Sequence, residues 1–298
     1  HWADMHRYMF DNCVDDLIKH FKERKEAVRV DIMQCIMAIV DVTEMRKRIL
    51  LQTSRKNSGG SISRAEASFE AQMSGLRAKA DAIVTSVCRC LGGPDKELDT
   101  KNVALNLSTK LMSVLGSALP AALYTSLMDD LTRGLVLDKY QPLRLSQMQL
   151  LRQLISFNSS EAVQESLNKY APTDKNSIFS IIIAATQETG YKNVAEALLV
   201  ATALIPKLRP LIAPDEKMFE KETTDYTSAV RMLYDALLVR LSAQDIDQEI
   251  KRYAIQCAGT LLFHFGDRFS DELPHLLSLL SDKLENEVTR VSLYTRFR

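Results

Sequence analysis

Five cysteines and five histidines are the side chains in this 298-residue chain most able to hold a metal or to act as nucleophile and base. Their spacing supports neither role. Cys88 and Cys90 form a lone C-x-C pair with no histidine beside them, whereas zinc takes four convergent nitrogen or sulfur ligands. Cys13, Cys35 and Cys257 are scattered, and an odd, dispersed set of thiols reads as free cysteines in a reducing compartment. His1, His6, His20, His264 and His275 fall in no H-E-x-x-H or nucleophile-pairing pattern. Glu23, Glu26, Asp245, Asp247 and Glu249 stand where caps and helix-dipole partners belong, not as an acid and base pair. The expectation is therefore no catalytic centre, no cofactor and no metal. Non-covalent recognition remains. Its candidates are Lys22, Arg24, Arg29, Lys101, Arg144, Lys192, Lys251, Arg252 and Arg290. These cations recur near one position, the opening of the second helix in successive helical pairs, and a basic row suits an acidic partner surface. Arginine is the stronger choice among them because it grips carboxylates bidentately.

The pairs that must position these residues are clearest between Asp245 and Leu280. Asp245 with Gln248 has the spacing of a capping box. Ile246, Ile250, Ala254, Ile255, Ala258, Leu261, Leu262 and Phe265 follow at helical steps. Gly266 is the expected left-handed stop, and Asp271 before Pro274 starts a second helix in which Leu273, Leu276, Leu277 and Leu280 are apolar. Neither helix can bury so wide a stripe alone. Ser117-Ala118-Leu119-Pro120 repeats the punctuation of Asp271-Glu272-Leu273-Pro274.

Composition fits a stack of such pairs. The chain is 46% hydrophobic and 26% charged, with 38 basic and 38 acidic residues. Zero net charge argues against a nucleic-acid binder, which depends on clustered Lys and Arg, and against a charged membrane surface. Only 10 Gly and 8 Pro disfavour an all-β chain rich in turns. No stretch approaches the roughly 18 apolar residues of a membrane span, and the expected location is intracellular. The chain opens on His1 within a helical pattern and is expected to be a section of a longer protein.

Between 44 and 64 the sequence turns to EMRKRILLQTSRKNSGGSISR, without a sustained period, and a flexible basic insertion is expected there. Elsewhere helical pairs succeed one another. The connection bearing Pro206, Pro210 and Pro214 is expected as a linker, and a break is expected at Ala171-Pro172. The first buried residues of the second helices, Val28, Val103, Leu143, Val194, Ile250 and Val288, are separated by 75, 40, 51, 56 and 38 residues. Most of these lie at or somewhat above the roughly 40–47 residues of HEAT and armadillo repeats, the largest excess being the interval that holds the insertion. The predicted fold is an all-α solenoid of about six HEAT-type repeats, the last incomplete, forming a single array over 1–298. In such an array the second helices line the concave face, which is where the nine cations would sit.

Several stretches carry a family resemblance. Phe21-Lys22-Glu23-Arg24 with Glu26, Val28 and Asp31, Glu196-Ala197-Leu198-Leu199-Val200 with Arg209-Pro210-Leu211, and above all Asp245 to Lys251, Gly266-Asp267, Asp271 to Pro274 and Glu285 to Arg290 resemble the middle of the cullin-associated and neddylation-dissociated (CAND) proteins. The resemblance implies a central segment of a long HEAT solenoid that wraps a cullin and its RING subunit, covers the cullin's neddylation site and promotes exchange of substrate receptors. It implies a non-enzymatic, monomeric scaffold of cytoplasm and nucleus, with neither nucleic acid nor membrane as partner. Tyr294 to Arg298 and the stretch 44–64 depart from the family pattern. The competing reading is a transport-type, importin-like HEAT receptor for peptide motifs. That receptor would need acidic, aromatic-studded inner ridges, whereas the ridge candidates here are basic and Trp2 is the only tryptophan.

Overall fold

The computed structural model describes residues 8, 12–56, 62–92, 97–116, 119–157, 160–212, 225–243 and 247–284. Regular structure among the described residues is helical: α1 (Val14–Lys19), α2 (Glu26–Lys56), α3 (Ile62–Leu91), α4 (Leu98–Leu115), α5 (Ala121–Leu137), α6 (Gln141–Phe157), α7 (Ser160–Leu167), α8 (Ile178–Thr186), α9 (Tyr191–Leu208), α10 (Asp225–Ser242), α11 (Gln248–Phe265) and α12 (Leu273–Leu284). Single 3-10 turns follow α1, α9 and α11. No described helix is long and apolar enough to cross a membrane.

Contacts group the chain into two compact units, 1–131 and 132–298, with the division falling inside the sequence of α5. In the first unit α2 lies along α4, and α3 packs against both. Met33, Ile36 and Val40 from α2, Leu76, Ile83 and Val87 from α3, and Ala104, Leu107 and Leu111 from α4 are buried between them. In the second unit α9 lies between α6 and α11, while α8 packs on α9 and α10. Val194, Ala197, Leu198, Ala201, Leu204, Ile205 and Leu208 of α9 are consequently sealed from solvent. Alanines at 195, 197 and 201 leave room for the neighbouring helices to approach.

Several local expectations change on the structure. Helix α2 runs on through residues 44–56 and α3 starts at Ile62, so both flanks of the expected insertion are helical. The reason is propensity: EMRKRILLQ is made almost entirely of good helix formers and holds a helix without an apolar period. Residues 57–61 lie outside the described set, as do Asp245, Val288 and everything after Leu284. Asp247 caps α11, its carboxylate accepting the Glu249 N–H at 2.8 Å. Pro206 sits inside the last turn of α9, not in a linker. The break at Ala171-Pro172 does separate α7 from α8, and Ser177 and Ser180 both donate to the Pro172 carbonyl, at 2.7 and 2.8 Å.

Gly266 is not left-handed: at φ −58° it is right-handed helical and opens the 3-10 turn Gly266–Arg268. Gly116, at φ 52°, is the glycine that does need its conformational freedom. Gly134 is required for space instead. A Cβ there would lie 2.6 Å from Gln147 Nε2, which donates to the buried Asp138 carboxylate at 2.6 Å.

Two expected outcomes follow from this packing. Replacing Leu261, fully buried on α11, with aspartate strands a carboxylate in the core and should cost about 3–5 kcal/mol in denaturant melts; unchanged melting would contradict the placement of α11. Gly266→Ala, whose Cβ would meet nothing within 4 Å, should stabilise by about 0.4–1 kcal/mol. Gly134→Ala should destabilise in the same assay, and a destabilised Gly266→Ala would restore the left-handed assignment.

Candidate protein-binding surface

The nine sequence-selected cations divide sharply once their surroundings are seen. Arg29 enters at the first turn of α2, and its side chain is only 12% exposed. Its guanidinium donates to the Glu23 and Arg24 carbonyls at 2.6 and 3.1 Å, where the preceding helical turn ends, and pairs with Glu97 at 2.6 Å. Glu97 is the N-cap of α4, one pair further on. Arg144 repeats the arrangement in the second unit. From the first turn of α6 it donates to the Leu135 carbonyl at 2.8 Å and the Asp138 carbonyl at 3.3 Å, then pairs with Glu188 at the corner before α9.

Each of these arginines is therefore an internal joint. Its charge meets orphan carbonyls at a helix C-terminus, where the dipole favours a cation, and its other arm holds the next pair. The spacing is common to both: Glu23 precedes Arg29, and Asp138 precedes Arg144, by six residues. Lys101 is likewise no ridge contact, being 3% exposed on α4. At Arg29 and Arg144 the recurring cation is used by the repeat architecture itself.

Further ties reinforce the joints. Arg152 of α6 pairs with Glu196 of α9 at 2.5 Å. Glu26 of α2 accepts from the Thr100 N–H and hydroxyl on α4 at 3.2 and 3.1 Å. At the far end of α9, Arg209 grips Asp267 bidentately at 3.0 and 3.1 Å and donates to the His264 carbonyl that closes α11. Those hydrogen bonds hold the Asp267 carboxyl below its usual range. Burial, with Arg209 nearby, lowers His264 as well.

Lys22, Arg24, Lys192 and Arg252 are exposed and Lys251 half-exposed, so these five remain available as surface cations. Arg290 lies outside the described residues. Arg252 stacks 4.8 Å from the Tyr253 ring centroid, and Lys192 lies 5.8 Å from that of Tyr191. The exposed aromatics were not selected from sequence: Tyr140 is 48%, Tyr191 49% and Phe263 84% exposed. Tyr140 and Tyr191 could have been found as bulky aromatics standing at helix starts, ahead of the first buried position of the stripe.

The cysteine pair acts as core. Cys90 is buried, which pushes its thiol up to about 11, while Cys88 is half-buried. Among the described residues no group of three or more His, Cys, Asp and Glu side chains could hold a metal.

Helical pairs packed second helix on second helix, joined at their corners by arginines and carrying a residue of exposed cations, define an α-solenoid of armadillo and HEAT type. A designed armadillo repeat protein superposes with a TM-score of 0.57 over 94% of this chain and 97% of its own, at 11% identity. The profile described as "CAND1-like, TPR repeats" matches residues 110–258, half of the chain, and the chain belongs to that family. Cullin-associated NEDD8-dissociated protein 1 of Arabidopsis thaliana is 28% identical over 99% of this chain and 22% of its own length. Cullin-associated NEDD8-dissociated protein 2 of Mus musculus is 30% identical over 92% and 20%. The chain thus spans about a fifth of these relatives.

Removing one joint tests the division between architecture and surface. Arg144→Met removes the donor from the Leu135 and Asp138 carbonyls and from one oxygen of Glu188, whose other oxygen keeps Asn193, and should lower unfolding free energy by about 2–4 kcal/mol. Lys192→Met should stay within about 0.5 kcal/mol of the parent in the same denaturant melt.

Proposed function

We propose that this chain is a section of a non-enzymatic, cullin-binding scaffold that governs assembly of cullin–RING ubiquitin ligases. The observation that carries this reading is the match, along nearly the whole chain, to proteins named as cullin-associated and NEDD8-dissociated. On this reading the complete scaffold holds unneddylated cullin with its RING subunit, keeps the modification site covered and lets substrate receptors exchange. The section itself is monomeric and works in cytoplasm and nucleus as one stretch of a continuous array.

Its proposed contacts are the exposed cations Lys22, Arg24, Lys192, Lys251 and Arg252, facing acidic partner surface. Arg29 and Arg144 are left out of that set because their half-buried guanidinium groups tie successive pairs together, and Lys101 because it is buried.

A pull-down with this chain as bait, using purified cullin–RING complexes with and without the NEDD8 modification, tests the reading. Retention of the unmodified complex over the modified one is expected. Within a longer protein containing this section, Lys251→Glu with Arg252→Glu should leave melting unchanged and weaken retention about ten-fold. Equal retention by the double variant would remove α11 from the interface, and equal retention of both cullin forms would overturn the regulatory reading.

A further inference from the structure

At the corner of the second unit, where the starts of α6 and α9 come together, lies a cavity of about 270 Å³. Its walls are apolar: the pyrrolidine of Pro142, the Leu145 side chain and the Tyr191 ring. The floor is polar but internally satisfied. The Asn193 amide donates to the Gln141 side chain and, at 3.3 Å, to Glu188, so the cavity offers its apolar wall with little competing demand from the floor. Gly190 has no side chain to fill the opening, and a Cβ there would already press on Gln141 at 3.3 Å.

Apolar surface continues beyond the opening. Leu137 is 60% exposed, and Tyr140 and Tyr191 are each about half exposed. Leu137 and Tyr140 stand in the same corner that Asn193 ties to Gln141 and Arg144 ties to Glu188. Tyr191 lines the cavity, and Tyr140 and Leu137 stand one and four residues ahead of the lining residue Gln141; exposed apolar side chains so close along the chain mark a docking surface more than a random scatter does. The cavity is smaller than the roughly 300–1,000 Å³ of small-molecule sites. It suits a single inserted side chain.

Charge decides what carries that side chain. Glu188, the carboxylate nearest the floor, is neutralised by the guanidinium of Arg144. Lys192 lines the opening and Lys139 stands two residues ahead of the lining residue Gln141, both exposed, so each of the two segments that form the cavity carries or follows a cation. We propose that this corner binds a linear peptide segment of a partner in which an aromatic or aliphatic residue, seated between Pro142, Leu145 and Tyr191, is flanked by acidic residues facing Lys139 and Lys192. The site goes beyond the cullin reading and does not depend on it, since it is defined by the chemistry of the peptide alone.

Fluorescence anisotropy on this chain tests the assignment with a labelled peptide, Glu-Glu-Phe-Glu-Leu-Glu. Two comparison peptides replace its glutamates with lysine or its Phe and Leu with glycine. Tyr191→Ala and Lys192→Glu alter exposed side chains, and circular dichroism checks that each variant keeps its helices. Saturable binding of the acidic apolar peptide is expected, about ten-fold weaker in either variant and unchanged in Lys175→Glu, an exposed lysine elsewhere in the unit. The proposal is overturned if the parent chain does not bind that peptide, if the lysine or the glycine peptide binds as tightly, or if Tyr191→Ala and Lys192→Glu bind like the parent.

Discussion

A guanidinium at a helical corner is the interaction on which each unit depends. Helices that bury wide apolar stripes can slide along one another, because hydrophobic contact is strong but has no direction. Arg29 and Arg144 supply direction. Each is bound on one side to main-chain carbonyls within its own pair and on the other to a carboxylate of the next pair, so the register between pairs is set by hydrogen-bond geometry. The apolar face of α9 from Val194 to Leu208 is then buried between α6 and α11.

The same chemistry explains which parts of the molecule were legible from sequence. Apolar periodicity located the helical pairs from α5 onward, and the break between α7 and α8 followed from Pro172, because burial of a stripe leaves a spacing anyone can read. Helix ends were less legible. Gly266 carries the residue type of a left-handed stop, yet a 3-10 turn closes α11 and leaves it right-handed. The stretch 44–56 lacks apolar period but has the propensity to stay helical, and there propensity prevailed.

For the candidate surface the sequence was informative in a misleading way. Recurrence picked out Arg29, Lys101 and Arg144 together with Lys192, Lys251 and Arg252, and nothing in residue type separates the two groups. Their partners do. Glu97 and Glu188 lie 68 and 44 residues along the chain from Arg29 and Arg144, so the joints exist only once the next pair is in place. Phe263 was hidden for the opposite reason: between Leu262 and Phe265 it is one more apolar residue until the helix rotation is known.

Confining the joints to corners also bears on how such chains change length over evolution. The first helix of the pair that ends in α9 is not continuous: α7 and α8 are bridged by an irregular stretch pinned where Ser177 and Ser180 meet the Pro172 carbonyl. Neither the Arg144–Glu188 joint nor the seat of α9 on α6 draws on that stretch. The register of the following pair is therefore held by contacts outside residues 168–176. Spacing between successive second helices is thus free to be uneven, whereas the six residues from Asp138 to Arg144 set the reach of the joint.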